Sequence, residues 1–269
     1  MSGEIDRRRL LGAGGLLTLG AVLAACGADS GGTTTATPST SATSAAPAPT
    51  TTAPPPPAPS PVSLLDGAGT CTLTPKTIAG PTWFDAHAVR TDIRDGRPGV
   101  PLALAFRVVG GGTACTPVPN AVVDLWQCDA AGLYSGFAGA SPGQGGHAGR
   151  KDEYGDAQSA ATTPERYLRG TQVTGADGVV QFATIYPGWY PTRTAHLHLK
   201  VHVNAKTLLT TQLFFDDAVT DGVYGVAPYR QHLPRDTRNA TDAFFHTAAQ
   251  LRLAQAGDRW LGAIVLAVP

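Results

Sequence analysis

The sequence predicts an all-β fold, an antiparallel β-sandwich with long loops, preceded by a disordered tether rich in Pro, Thr and Ala. Short apolar runs rich in β-branched residues recur throughout residues 64–269, as expected for strands. Turn-forming stretches such as Gly110-Gly111-Gly112 separate these runs, and no long amphipathic helix alternates with them. This spacing is typical of a sandwich rather than of a parallel α/β sheet.

Seven strands are predicted, and each is an apolar run that ends at turn residues. They cover residues 100–109, 121–126, 179–185, 195–203, 207–215, 250–253 and 260–268. Residues 240–249 are expected to form a short helix. Residues 136–161, rich in Gly, Ala, Ser and Asp, are expected to form a long loop. Loops of this length often border a functional cleft.

Residues 1–25 have the features of an export signal. Arg7, Arg8 and Arg9 precede an apolar run over 10–23, which is too short to be a permanent membrane span. The arginines resemble a twin-arginine signal, and residues 23–26 resemble a bacterial lipobox, in which Cys26 is acylated and becomes the mature N-terminus. We therefore expect a protein anchored through lipid on the outer face of the bacterial cytoplasmic membrane. Three chance arginines before a buried helix are the alternative.

Residues 26–63 are predicted to be a disordered tether. They carry almost no charge and no aromatic residue, so they cannot bury enough apolar surface to offset the entropy lost on ordering. The remaining residues, 64–269, have a suitable length for one β-rich domain with its own core.

Charge argues against a nucleic-acid partner. The chain has 20 basic and 20 acidic residues, so no net positive charge attracts a phosphate backbone.

The cysteines allow a disulfide, because export favours disulfide formation. Cys115 and Cys128 flank a turn-rich piece followed by the predicted strand 121–126, so a bridge between them is sterically plausible. That bridge would leave Cys71 as a buried thiol. The sequence does not decide the pairing.

The segment 195–203 combines an apolar face with a histidine-bearing face. With the period of two of a strand, His196 and His198 lie on one face about 7 Å apart, within reach of a common ion. His202 lies further along and is expected to be an ordinary surface or hydrogen-bonded histidine. Taken alone, an H-x-H pair is a weak signal, and solvent-facing histidines are an equal alternative.

The neighbouring motifs add tyrosines. Tyr134 ends the stretch 126–134, and Tyr190 lies in a rigid Pro-Gly-Trp-Tyr-Pro turn, three residues before Arg193. At these residues the chain resembles the intradiol ring-cleavage dioxygenases, the family of catechol and protocatechuate dioxygenases. The likeness also extends to residues 71–75, 80–81 and 209–214.

The resemblance implies a non-haem Fe(III) centre held by Tyr134, Tyr190, His196 and His198. Two phenolates and two imidazoles form a hard oxygen and nitrogen ligand set that favours ferric iron over zinc. A phenol with an ordinary pKa near 10 binds metal at neutral pH only when a strongly charged ion replaces its proton. For either tyrosine alone, a core ring with a hydrogen-bonded hydroxyl is the alternative.

The resemblance also implies a reaction. A catechol-type diol and O2 would give a cis,cis-muconate-type diacid, with Tyr190 leaving the metal as substrate binds and Tyr134 staying. Arg193 would stabilise negative charge on the ring, and Gln212 would orient the intermediate. Relatives often carry tyrosines where this chain has Thr82-Trp83, which leaves the substrate open.

Two other functions stay open at this point. One is a non-catalytic or zinc-binding sandwich outside the cytoplasm, used for adhesion or carbohydrate binding. The other is extradiol cleavage, but that chemistry generally uses Fe(II) with two histidines and a carboxylate, and no suitable carboxylate accompanies the H-x-H pair. A monomer is favoured, because the tether occupies the place of the helical dimerisation segment of cytoplasmic relatives.

Overall fold

The computed structural model describes residues 59–67, 71–112, 114–137, 150–232 and 234–269. The predicted export signal, Cys26 and the tether up to residue 58 lie outside them. The strands are β1 (Pro101–Gly110), β2 (Val122–Trp126), β3 (Arg150–Lys151), β4 (Ala157–Gln158), β5 (Arg169–Val173), β6 (Val179–Ile185), β7 (His196–Val203), β8 (Lys206–Phe214), β9 (Arg252–Ala256) and β10 (Arg259–Val268). The helices are α1 (Asp217–Tyr224) and the 3-10 turns Pro61–Leu65, Tyr229–His232, Asn239–Thr241 and Thr247–Ala249.

Two four-stranded sheets pack face to face, which confirms the predicted sandwich. Their strand orders are β6-β1-β10-β9 and β5-β2-β7-β8, and β3 and β4 form a separate small hairpin. The inner faces share one core, to which β1 contributes Leu104 and Phe106 and β7 contributes Leu197 and Leu199. The pairing is antiparallel throughout the second sheet and at two of the three strand pairs of the first. Strands β1 and β10 are parallel neighbours, so the first sheet is mixed.

The outer face of the second sheet is buried as well. His196, His198, Lys200 and His202 are each at most 2% exposed, although they point away from the core shared with the first sheet. Polar side chains need partners when they lose contact with water. This buried polar face is where the candidate site lies.

Two local elements differ from the sequence prediction. Residues 240–249 do not form the predicted helix: 3-10 turns lie at Asn239–Thr241 and Thr247–Ala249. Between them, the Asp242 carboxylate accepts from the backbone N–H of Phe244 at 2.9 Å and directs the chain into a turn. The α-helix lies at Asp217–Tyr224, where Asp216 caps its first turn. Strand β5 lacks a clear apolar pattern and depends on pairing with β2.

The Cys115–Cys128 bridge that the sequence left possible is not the pairing in the structure. The structure pairs Cys71 with Cys115, and Cys128 is a free, buried thiol that donates to the carbonyl of Gly188 at 3.5 Å. Cys115 precedes β2 and Cys128 follows it. A five-residue strand holds its ends about 17 Å apart, whereas a disulfide needs Cα atoms within about 7 Å.

The domain begins slightly before residue 64. Pro61–Leu65 form a 3-10 turn. On the outer face of the first sheet, Leu65 of this turn packs on Ala105 of β1 and Ala263 of β10. Residues 61–63, predicted as tether, therefore belong to the packed domain. Among the residues described here, none of the helices has the length and apolar character needed to cross a bilayer.

Candidate metal centre

Four donor atoms from the predicted ligands converge on one point of the buried polar face. The Tyr134 hydroxyl lies 2.9 Å from His198 Nε2, which lies 3.1 Å from His196 Nε2. His196 Nε2 lies 3.0 Å from the Tyr190 hydroxyl, and the two hydroxyls are 3.4 Å apart. The four side chains thus form a closed ring of two phenol oxygens and two imidazole nitrogens.

The strand register explains why the histidines meet other site residues. In β7, His198 pairs across the sheet with Trp126 of β2 on one side and Gln212 of β8 on the other. Residues paired in this way share a face of the sheet. The candidate ligand His198 therefore lies on one face of the second sheet between an aromatic neighbour, Trp126, and a polar neighbour, Gln212.

Two loops carry the tyrosines, and the loops are packed against each other. The backbone N–H of Gly188, two residues before Tyr190, donates to the carbonyl of Asp129 at 3.1 Å. A Cβ at Gly188 would lie 2.5 Å from that carbonyl oxygen, so only glycine allows this approach. The contact fixes the Tyr190 turn relative to the loop that leads to Tyr134.

Burial keeps all four donors uncharged when no cation is present. Burial raises the pKa of Tyr134 well above its ordinary value and raises that of Tyr190 to about 12. Burial, followed by the charge of Arg193, lowers the pKa of His196 to about 3, and burial lowers that of His198 well below its usual range. Two neutral imidazoles offer lone pairs, while the phenols would give up their protons only to a strongly charged ion.

The donor set fits a single metal ion. Ligand atoms about 2.0–2.2 Å from one ion lie about 2.9–3.5 Å from one another, which matches the 2.9–3.4 Å separations around the ring. His196 also has a typical second interaction, because its Nδ1–H donates to the Thr194 carbonyl at 2.7 Å and leaves Nε2 free. In the described ranges, no three His, Cys, Asp or Glu side chains cluster as a metal site, so the tyrosines distinguish this centre.

The structure brings the two predicted catalytic residues together beside the ring. Arg193 donates from Nη2 to the Gln212 side-chain oxygen, and Gln212 in turn donates to the Ile78 carbonyl at 3.1 Å. The guanidinium also lies 4.8 Å from the centre of the Phe244 ring. Its orientation is therefore fixed from several sides.

Two charged neighbours of the candidate site escaped the sequence analysis. Asp242, in the segment predicted as helix, accepts from Arg193 Nε at 2.9 Å. Arg169 is fully buried, so its pKa falls to about 9, and its Nε and Nη2 donate to the Ser135 hydroxyl and carbonyl at 2.9 Å, next to Tyr134. The signal for Asp242 was an isolated acid in an apolar stretch, which is too common to interpret.

Neither His202 nor Tyr154 has a hydrogen bond or ring contact with the four donor residues. His202 is hydrogen-bonded, as expected, to Asp124 and Thr207 at 3.1 and 2.8 Å, but it is buried rather than on the surface. Tyr154 stacks on His202 with ring centres 3.7 Å apart. Both residues belong to a separate polar network along β7.

A cleft of about 460 Å³ borders Tyr134. Its walls combine apolar and charged side chains, among them Leu133, Phe137, Tyr167, Arg97 and Arg166. Clefts of about 310 and 360 Å³ elsewhere on the described surface contact none of the four donor residues.

The chain is similar to known dioxygenases. The family model described as dioxygenase matches residues 74–249. The chain is 30% identical over 162 residues to catechol 1,2-dioxygenase 1 of Acinetobacter lwoffii, covering 52% of this chain and 45% of that protein. It is 31% identical over 160 residues to hydroxyquinol 1,2-dioxygenase of Corynebacterium glutamicum, covering 57% and 51%. The chain thus spans about half the length of these curated relatives.

A solved structure matches more completely. The intradiol ring-cleavage dioxygenase from Tetranychus urticae is 31% identical, with a TM-score of 0.65, and the match covers 74% of this chain and 95% of that one. The range that the dioxygenase family model matches, residues 74–249, includes all four donors. The chain belongs to the intradiol ring-cleavage dioxygenase family.

Proposed function

We propose that the protein cleaves a catechol-type aromatic diol between its two hydroxyl-bearing carbons, with O2, to give a cis,cis-muconate-type diacid. Tyr134, Tyr190, His196 and His198 would hold a non-haem ferric ion. When bound, that ion would supply chelation of both catechol oxygens and activation of the ring toward O2. The observation that carries the proposal is the closed ring of two phenol oxygens and two imidazole nitrogens.

The two tyrosines differ in a way that supports different roles. Tyr134 is 3% exposed, whereas Tyr190 is half-buried and therefore has more room to move. A Tyr190 phenolate that leaves the ion would take up a proton at Oη, because burial raises its pKa to about 12. A catechol hydroxyl is the natural source of that proton. We assign the leaving role to Tyr190 and the persistent role to Tyr134.

Arg193 would supply positive charge next to the aromatic ring of a bound substrate. Its charge already lowers the pKa of His196, after the larger effect of burial, so its field reaches the donor ring. Negative charge on a bound substrate would be stabilised by the same field in a site shielded from water. Gln212 fixes the Arg193 guanidinium and would help to orient the intermediate.

Iron loading, absorption and oxygen uptake test the proposal together. The full chain is loaded with Fe(III) and offered catechol, hydroxyquinol and protocatechuate in an oxygen electrode. We expect a visible tyrosinate-to-iron band, uptake of one O2 per diol and a dicarboxylate product. A colourless iron complex, no oxygen uptake with any diol, or an aldehyde product from cleavage beside the hydroxyls would contradict it.

We also propose export and lipid anchoring through Cys26. Support comes from the signal-like residues 1–25 and from the Cys71–Cys115 disulfide, because disulfides persist mainly in oxidising compartments. A catechol-type diol and O2 are the expected small-molecule partners. We predict that the protein is a monomer.

A further inference from the structure

We propose that Trp126 is a positioning residue for His198, and that aromatic stacking takes the place of the hydrogen bond that usually orients a metal-binding imidazole. The inference rests on the proposed function, because it concerns the orientation of a proposed iron ligand. It assigns Trp126 no contact with substrate.

The two histidines of the centre are held differently. His196 donates from Nδ1 to the Thr194 carbonyl at 2.7 Å, the usual arrangement for a metal-binding histidine. His198 Nδ1 is buried, and no described residue offers it a hydrogen bond. Without that bond, the His198 imidazole is held by its Nε2 contacts with Tyr134 and His196 and by packing on its faces.

Trp126 supplies this packing. Its indole stacks on the His198 imidazole with ring centres 5.0 Å apart and planes within 10°. The two residues are direct cross-strand partners of β2 and β7, so the sheet register fixes the stack. The indole is itself buried and its Nε1 has no hydrogen-bond partner within the described ranges.

Two further contacts limit rotation of the imidazole. Tyr134 meets the ring edge-on, with an interplanar angle of 61°. On another side, Gly80 approaches so closely that an added Cβ would lie 3.3 Å from His198 Cε1. A His198 imidazole rotated away from its parallel stack on Trp126 would therefore come too close to Tyr134 or Gly80.

The indole also contacts a second indole, that of Trp83, whose ring plane is tilted by 59°. Trp83 lies 6.3 Å from Trp126 between ring centres, and the ammonium of Lys200 lies 3.4 Å from the centre of Trp83, a cation–π contact. Lys200 is held by Asp156 at 2.5 Å. Lys200 lies on the same face of β7 as His198, two residues further along, so the cation belongs to the same sheet.

The test compares a variant that removes the aromatic ring at position 126 with one that keeps a ring there. Trp126→Met removes the aromatic face but keeps bulk, Trp126→Phe keeps a ring, and Trp260→Met is the matched control in β10. In the full chain, we measure the rate of Fe(III) loss to a chelator and the rhombicity of the ferric EPR signal. We expect Trp126→Met to lose iron about 10–100-fold faster with an altered EPR signal, Trp126→Phe to lie near wild type, and Trp260→Met to match wild type.

A measurement on iron-free protein separates this inference from the proposed function. NMR contacts from the His198 ring to Gly80 and Tyr134 should be present in wild type and Trp126→Phe, and lost in Trp126→Met, whether or not the protein is an iron enzyme. Contacts and iron loss equal in Trp126→Met and Trp126→Phe would overturn the inference. If Trp126→Met does not fold, Trp83→Leu is used instead. We expect it to show the same faster iron loss, altered EPR signal and lost NMR contacts, but to a smaller extent. Wild-type values of all three in Trp83→Leu would overturn the inference.

Discussion

Arg193 and Asp242 form a buried ion pair beside the candidate metal centre. Arg193 Nε donates to Asp242 Oδ2 at 2.9 Å, and the aspartate side chain is fully buried. The same carboxylate oxygen accepts from the backbone N–H of Thr194 at 2.9 Å. Asp242 therefore fixes the cationic side chain and the residue whose carbonyl orients His196.

We expect Asp242→Asn to slow turnover about 10–100-fold while iron stays bound, because Arg193 loses its orientation but all four donors remain. The variant should also lose up to about 3–5 kcal/mol of unfolding free energy, since a buried charge is left without its partner. Oxygen uptake, iron content and urea unfolding measure these effects. Asp258→Asn, at an exposed turn, is the control, and equal turnover in both variants would contradict the assignment.

The Asp242 carboxylate should also make stability depend on pH. Burial alone would raise its pKa, but the Arg193 hydrogen bond and charge outweigh burial, so its pKa is lowered. The unfolded value is about 3.9, so the pair stabilises the fold above about pH 4 and this stabilisation is lost as pH falls further. The difference in unfolding free energy between wild type and Asp242→Asn should shrink below pH 4. A constant difference from pH 7 to pH 2 would speak against the pair.

Replacing His196 or His198 with alanine should remove iron and activity together. The fold should persist, because the opposite face of β7 carries Leu197 and Leu199 in the core. Iron analysis and circular dichroism measure the two properties, with the exposed His87 replaced by alanine as control. Iron at the wild-type level in both ligand variants would show that these histidines are not ligands.

Tyr134→Phe and Tyr190→Phe should differ once substrate is bound. Under anaerobic conditions, we expect resonance Raman tyrosinate bands to disappear from the catechol complex of Tyr134→Phe. The Tyr190→Phe protein should bind iron less tightly but give a substrate complex close to wild type. The opposite pattern would reverse the two roles, and unchanged bands in both variants would exclude the tyrosines as ligands.

The disulfide should stabilise the domain measurably. It closes a loop over a sequence separation of 44, which corresponds to about 4 kcal/mol in the chain-entropy model. Cys71→Ser should therefore lower the unfolding temperature clearly, whereas Cys128→Ala should not remove the bridge. Mass spectrometry of a non-reducing digest should find Cys71 linked to Cys115. A peptide linking Cys115 to Cys128 would contradict the structure.

Cys26→Ser should release the protein from the membrane, because the acylated residue is lost. Fractionation of cells and labelling with a radioactive fatty acid test this, with Cys128→Ala as a matched cysteine control. Continued membrane association of a processed Cys26→Ser protein would exclude the lipid anchor.

Local patterns in the sequence were enough for the sandwich class and for the two candidate histidine donors. The alternation through β7 separates Leu197 and Leu199 from His196 and His198 because side chains of a strand point alternately to its two faces. Tyr134 and Tyr190 could be added only through family resemblance, since a tyrosine carries no local sign of metal binding. Convergence of the four side chains was an expectation until the fold placed them together.

Long-range contacts decided the rest. Arg193 and Asp242 are 49 positions apart, and Cys71 pairs with Cys115 across 44 positions. Trp126 meets His198 only because β2 and β7 pair in one register, and β1 lies parallel to β10 only because the chain returns to that sheet at its end. Periodicity reports which face of an element is apolar, but partners distant in sequence are selected by the packing of the whole domain, which a single sequence does not encode locally.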